Sequence, residues 1–138
     1  SYSLFGIAYN VLGIYDKAIL AYKKALVLKP NWIVPLDNMG YTYTSMGKYE
    51  KAIKIHQKVI QKDPSYSNAY YNIACNYTLQ NKIQEAIPYF VKAVKLGYEK
   101  ENIKKDRDIK NLKNTPVYKK LILNASKRKN SRKYIKTI

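Results

Sequence analysis

The stretch IVPLDNMGYTYTSMGKYEKAIKIHQKVIQKDP, residues 33–64, decides the fold. Several of its proline, glycine, tyrosine and alanine positions recur before or after it at a period of 34 residues. Pro30 and Pro64 are one period apart, and so are Gly13 and Gly47. Two series recur three times, namely Tyr9, Tyr43 and Tyr77, and Ala18, Ala52 and Ala86. A fixed period of this length indicates stacked supersecondary units.

Each period contains two apolar helical faces. Leu36, Met39 and Tyr43 recur at steps of three and four residues, which places them on one side of a helix. Ile53 and Ile60 belong to a second such face after a break at residue 47. Each unit is therefore predicted to be a helical hairpin.

The break between the two helices is predicted to be a residue with left-handed backbone. Gly47 occupies it in the second unit, Gly13 in the first and Asn81 in the third. Glycine and asparagine adopt this conformation more readily than other residues. Glycine or alanine at positions 6, 40 and 74 should let the helices of each hairpin approach closely.

Together these features resemble the tetratricopeptide repeat (TPR) family. The resemblance covers residues 1–96 as three repeats, 1–30, 31–64 and 65–96. In the second helix of each repeat, the position that the family fills with an aromatic residue is occupied by Tyr22, His56 and Phe90. Histidine thus replaces the aromatic residue in the second repeat. The resemblance implies an all-α fold, a right-handed TPR superhelix, which is an α-α solenoid of antiparallel helix pairs.

The repeat pattern ends near Gly97. We expect residues 97–123 to form a helical cap, because the last unit of a solenoid must cover an open apolar face. Its predicted buried side chains are Ile103, Ile109, Leu112, Val117, Tyr118, Leu121 and Ile122. Residues 124–138 form a basic segment, which we expect to be helical.

The resemblance also implies where a ligand would bind. In TPR proteins the first helices of successive repeats line a concave groove that holds a partner peptide or helix. Transferred by position, the concave groove of this chain comprises Ile7, Asn10, Asp37, Asn38, Tyr41, Thr44, Asn68, Tyr71, Asn72 and Cys75. The resemblance thus implies a scaffold or adaptor that binds a protein or peptide of unknown identity; a merely solvated polar face is the alternative.

This groove is not expected to be the carboxylate clamp with which some TPR co-chaperones hold acidic chaperone tails. Those members need lysine or arginine where this chain has Ser3, Asn68 and Asn72, and asparagine where it has Ile7. Only Asn38 matches. The lining from the first helices carries no lysine, so we expect it to bind a partner largely independently of salt.

The positive charge lies elsewhere. The chain has 26 basic and 9 acidic residues, a formal net charge of +17. Such a field favours anionic partners without choosing among them, and a lysine-rich composition of the source organism would give the same pattern. The alternative function is therefore nucleic-acid or anionic-surface binding through the C-terminal cluster, comprising Lys127, Arg128, Lys129, Arg132, Lys133 and Lys136.

No catalytic constellation, metal site or cofactor motif is found, so we do not expect an enzyme. His56 is the only histidine and lies on a core face, which favours a buried structural role over general-base chemistry. Cys75 is the only cysteine, and there is no signal peptide or apolar run long enough to span a bilayer, so a cytoplasmic protein is the default. Because Ser1 leads directly into a repeat helix, we expect the sequence to be part of a longer protein.

Overall fold

The computed structural model describes residues 2–123, and its helices follow the predicted hairpins. The pairs are α1 (Tyr2–Val11) with α2 (Tyr15–Leu28), α3 (Ile33–Ser45) with α4 (Tyr49–Lys62), and α5 (Ser67–Leu79) with α6 (Ile83–Lys95). Each hairpin also packs on the next one, through α2 with α3 and α4 with α5. No strand occurs within residues 2–123, and the prediction of an all-α solenoid is confirmed.

The turns inside the hairpins are made by the predicted left-handed residues. The backbone φ angle is +75° at Gly13, +76° at Gly47 and +60° at Asn81. In the second hairpin the amide of Lys48 then donates to the carbonyl of Tyr43 at 2.9 Å, which satisfies a carbonyl at the end of α3. The equivalent bond closes the other two hairpins.

Small residues are required where the two helices of a hairpin cross. A Cβ atom added to Gly40 would lie 2.6 Å from Cε1 of His56, and one added to Gly6 would lie 2.5 Å from Cε1 of Tyr22. Both distances are shorter than van der Waals contact allows. The close approach predicted from the period is therefore present in the first two repeats.

The first helices of the second and third repeats begin without a side-chain cap. Helix α3 begins at Ile33 after Trp32, and α5 begins at Ser67 after Tyr66; neither preceding residue caps its helix through a side-chain hydrogen bond.

The cap packs against the third repeat. It consists of α7 (Lys100–Lys105), α8 (Lys110–Lys113), α9 (Pro116–Tyr118) and one π-helical turn, Lys119–Leu123. Four of its side chains are fully buried against α5 and α6, namely Ile103, Ile109, Leu112 and Ile122. Tyr118 is also buried, and Val117 and Leu121 pack partly buried against the same cluster.

The first repeat exposes the apolar positions that later repeats bury. Phe5 is 56% exposed, whereas Met39 and Ile73, one and two periods later, are 8% and 0% exposed. The apolar side that later repeats bury against the preceding repeat is therefore exposed on α1 and α2. No helix within residues 2–123 is long and apolar enough to cross a membrane.

Candidate functional site

The concave side of the second and third repeats holds a cavity of about 340 Å³, which we call the groove cavity. It lies between α3, α5 and the start of the cap. Five of the predicted groove residues line it, namely Tyr41, Thr44, Tyr71, Asn72 and Cys75, together with Asn76. Tyr41 and Cys75 are one period apart in the sequence, and the structure brings them into one concavity.

The cap supplies the other wall of the groove cavity, which the sequence analysis did not predict. Its residues there are Tyr98, Asn102, Lys105, Asp106 and Asp108. A signal was present, because residues 102 and 106 fall one period after Asn68 and Asn72. The cap thus continues the series of groove positions by one further step, with a carboxylate at the end.

Asp106 organises the cap side of the cavity. Its Oδ2 atom accepts a hydrogen bond of 2.5 Å from the Tyr71 hydroxyl and a 3.7 Å contact from Sγ of Cys75, while Oδ1 accepts the amide of Asp108 at 2.9 Å. The Tyr71 ring stacks on Tyr98 with 4.0 Å between centroids. These contacts join α5 to the loop after α7, so this wall of the cavity is preformed.

The donors around Asp106 are held in their protonated state. Burial raises the pKa of the Cys75 thiol well above its ordinary value, and nearby Asp106 adds to the shift. Burial likewise raises the pKa of Tyr71, and that of Tyr98 to about 12. Near neutral pH all three therefore present neutral groups to the groove cavity.

Asp108 is the free carboxylate of the groove cavity. Its side chain is exposed, and within residues 2–123 it forms neither a hydrogen bond nor an ion pair. Partial desolvation raises its pKa, and the charge of Asp106 raises it further. Lys105 also lines the cavity. The cap therefore adds charged side chains to a wall that the first helices leave without lysine, so the expectation of salt-independent binding does not extend to the whole cavity.

Asp37 does not face a ligand as the groove prediction supposed, because it lies buried beneath the surface. Nδ1 of His56, itself fully buried, donates to Oδ1 of Asp37 at 2.7 Å. Nδ2 of Asn72 donates to Oδ2 of the same carboxylate at 3.3 Å. These hydrogen bonds link α4, α3 and α5, and they fix the partly buried Asn72 side chain at the wall of the groove cavity.

Asn76 is held in a similar way. Its Oδ1 accepts from the Thr44 hydroxyl at 2.8 Å, and its Nδ2 donates to the backbone carbonyl of Asn72 at 2.7 Å. The polar floor of the cavity is therefore hydrogen-bonded within the protein. Tyr41, which is 49% exposed, is the aromatic side chain on the α3 side that remains available to a ligand.

The remaining predicted groove residues lie around or outside this cavity. Asn68 lines an adjoining cavity of about 410 Å³ that shares Tyr98 and Asn102 with the first. Asn38 is partly buried on α3, and Ile7 and Asn10 lie on α1; none of these three lines either cavity. The candidate site is thus shifted towards the cap relative to the prediction.

The predicted anion-binding cluster, Lys127 to Lys136, lies outside the described residues. On the convex side, Lys51, Lys54, Lys58 and Lys62 are exposed along α4. Within residues 2–123 no group of three histidine, cysteine or acidic side chains could hold a metal ion.

Solved structures with a similar fold are TPR proteins. A structure titled "Crystal structure of MamA" is 30% identical in sequence, with a TM-score of 0.65, and the match covers 73% of this chain and 59% of that one. This chain thus spans a little over half the length of that protein. The structure "Second TPR of Spaghetti (RPAP3) bound to HSP90 peptide SRMEEVD" is 26% identical, with a TM-score of 0.63, covering 69% of this chain and 88% of that one.

The first TPR of the same RPAP3 protein, also bound to that peptide, matches 87% of this chain with a TM-score of 0.68 at 21% identity, a likeness of fold alone. No protein of curated function matches the sequence significantly. One family profile matches residues 38–137, more than half of the chain, and it includes both walls of the groove cavity. The chain has a TPR-like fold and belongs to the family described as "Domain of unknown function (DUF6340)".

Proposed function

We propose that this chain is a protein-interaction module that holds an extended segment or a helix of a partner protein in the groove cavity. The observation that carries the proposal is the cavity itself, an open concavity with one preformed wall of stacked tyrosines and one exposed tyrosine opposite. Tyrosine supplies large contact area at low cost in conformational entropy, which suits peptide capture.

The neighbouring structures support a role of this kind. The two TPR structures of RPAP3 hold a peptide, whereas neither title describes a catalytic activity. In this chain the polar floor of the cavity is already hydrogen-bonded, so a peptide would not have to break contacts to enter. Binding without catalysis is therefore the function that this geometry supports best.

Replacing Tyr41 by alanine is expected to weaken peptide binding by roughly 2 kcal/mol, because tyrosines that a partner covers in a concave site are often binding hot spots. Peptides would be selected by display against the full chain, and their affinity measured by fluorescence anisotropy. Since Tyr41 contributes little to the core, the melting temperature should stay nearly unchanged.

Tyr2→Ala is the matched control for Tyr41→Ala. Tyr2 is similarly exposed, at 43%, but it lies on α1 beside Lys24, away from the groove cavity. The control should bind as the wild type does. Equal affinity of the folded Tyr41→Ala protein and the wild type would exclude the groove cavity as the binding site.

A further inference from the structure

We propose that the groove cavity selects a partner segment that carries a lysine or arginine, whose cationic group lies between Tyr41 and Asp108. The inference rests on the proposed function, since it names the chemistry of the segment that the groove would hold. It follows from the charges that the cap brings to the concave face, and the first helices alone would not suggest it.

The two aspartates of the groove cavity have different tasks. Both carboxylate oxygens of Asp106 already accept hydrogen bonds from within the protein. Asp108 lines the cavity, and its side chain has no partner within residues 2–123, so its exposed carboxylate is available to a ligand. A hydrogen bond to a charged carboxylate is roughly twice as strong as one between neutral groups. Asp108 is therefore the counter-ion that a ligand would meet.

Aromatic rings line the place where the cation would lie. Tyr41 is close enough to both aspartates for their charges to raise its pKa, after the larger effect of burial. Tyr71 and Tyr98 present a stacked pair on the other side. A cation near the face of a tyrosine is attracted by the ring quadrupole, and arginine in particular stacks on such rings while it binds a carboxylate.

The overall positive charge of the chain does not oppose this selection at close range. At physiological ionic strength the screening length is about 8 Å, so the lysines of the convex face act weakly inside the groove. Within the cavity, two carboxylates face one ammonium group, that of Lys105. The local balance is therefore negative in a chain whose net charge is +17.

The same charges disfavour an acidic ligand. The RPAP3 domains are bound to the peptide SRMEEVD, which contains two glutamates and an aspartate. In this chain Asp106 occupies the next step of the groove series after Asn38 and Asn72. A carboxylate there repels an acidic segment and attracts a basic one. The preferred ligand of this chain is therefore opposite in charge to the peptide bound in those neighbours.

The test uses an array of short acetylated and amidated peptides in which each position in turn is arginine, lysine, norleucine or glutamate. We expect the best binders to need arginine or lysine at one position. Replacing that residue by norleucine, which keeps the length and loses the charge, should weaken binding roughly tenfold, the usual range for a charge-assisted hydrogen bond.

The variant Asp108→Asn tests whether Asp108 is the carboxylate that binds the cationic group of the peptide. It should weaken binding of the cationic peptide roughly tenfold and leave that of the norleucine peptide within about twofold, since the interaction belongs to the pair of charges. Glu101→Gln is the matched control, because it removes one negative charge from α7 at an exposed position outside the cavity. It should bind both peptides as the wild type does.

The outcomes separate the two proposals. If norleucine or glutamate peptides bind as tightly as cationic ones and are still weakened by Tyr41→Ala, the selection of a cation is wrong and the binding groove stands. The same conclusion follows if Asp108→Asn and Glu101→Gln lower the affinity equally. If no peptide binds in a way that depends on Tyr41, the proposed function itself is wrong.

Discussion

Replacing His56 by phenylalanine is expected to lower the free energy of unfolding by roughly 3 kcal/mol, because it leaves a carboxylate buried without its principal partner. The ring volume is nearly conserved, and the equivalent positions in the other repeats hold Tyr22 and Phe90, both fully buried. Packing alone would therefore predict a neutral change. The difference lies in Asp37, which would retain only the longer bond from Asn72.

The measurement is urea unfolding followed by circular dichroism, with the double variant His56→Phe, Asp37→Leu as its control. Removing both polar partners together should recover more than half of the lost stability, because an apolar pair can replace a buried polar one at little cost. A loss below about 0.5 kcal/mol in the single variant, the range of ordinary surface substitutions, would mean that the hydrogen bonds of Asp37 do not stabilise the fold.

Gly40→Ala is expected to lower the free energy of unfolding by roughly 2 kcal/mol, although alanine in a helix normally stabilises by about 1 kcal/mol relative to glycine. The added Cβ would lie 2.6 Å from Cε1 and 2.7 Å from Nε2 of His56. The ring cannot easily retreat, because its other nitrogen is bonded to Asp37. The helices α3 and α4 would have to separate.

The third repeat provides the control for Gly40→Ala, because Ala74 stands at the equivalent position and is fully buried opposite Phe90. There the reverse change, Ala74→Gly, should cost about 1 kcal/mol through helix propensity and lost packing. A stabilised Gly40→Ala protein would show that α3 and α4 have room to spare, and the close-approach argument would then be wrong.

The repeat architecture was predictable because it depends on periodic features of the sequence. Gly13, Gly47 and Asn81 predicted three left-handed turns, and all three have positive φ. The apolar residues of the cap were predictable too, since Ile103, Ile109 and Leu112 had to cover the last repeat. Patterns of this kind report which side of an element is buried.

The polar partnerships were not predictable from the same pattern. Asp37 was assigned to the groove by position. Instead, its carboxylate is buried and accepts a hydrogen bond from His56, 19 residues later on the facing helix. The hydrophobic period says nothing about which buried polar groups pair. Asp106 was missed for another reason. It lies one period after Asn72 and on the same concave side, but α7 ends at Lys105, so no helical pattern in the sequence marks the position.

The most direct test of the central claim is chemical-shift mapping of isotope-labelled full chain titrated with the tightest-binding peptide of the array. We predict that the largest amide shifts lie on the concave side, at Tyr41 on α3, at Asn72 and Cys75 on α5, and between Tyr98 and Asp108 in the cap. Shifts confined to the exposed lysine face of α4, or to residues 124–138, with the groove amides unmoved, would contradict it.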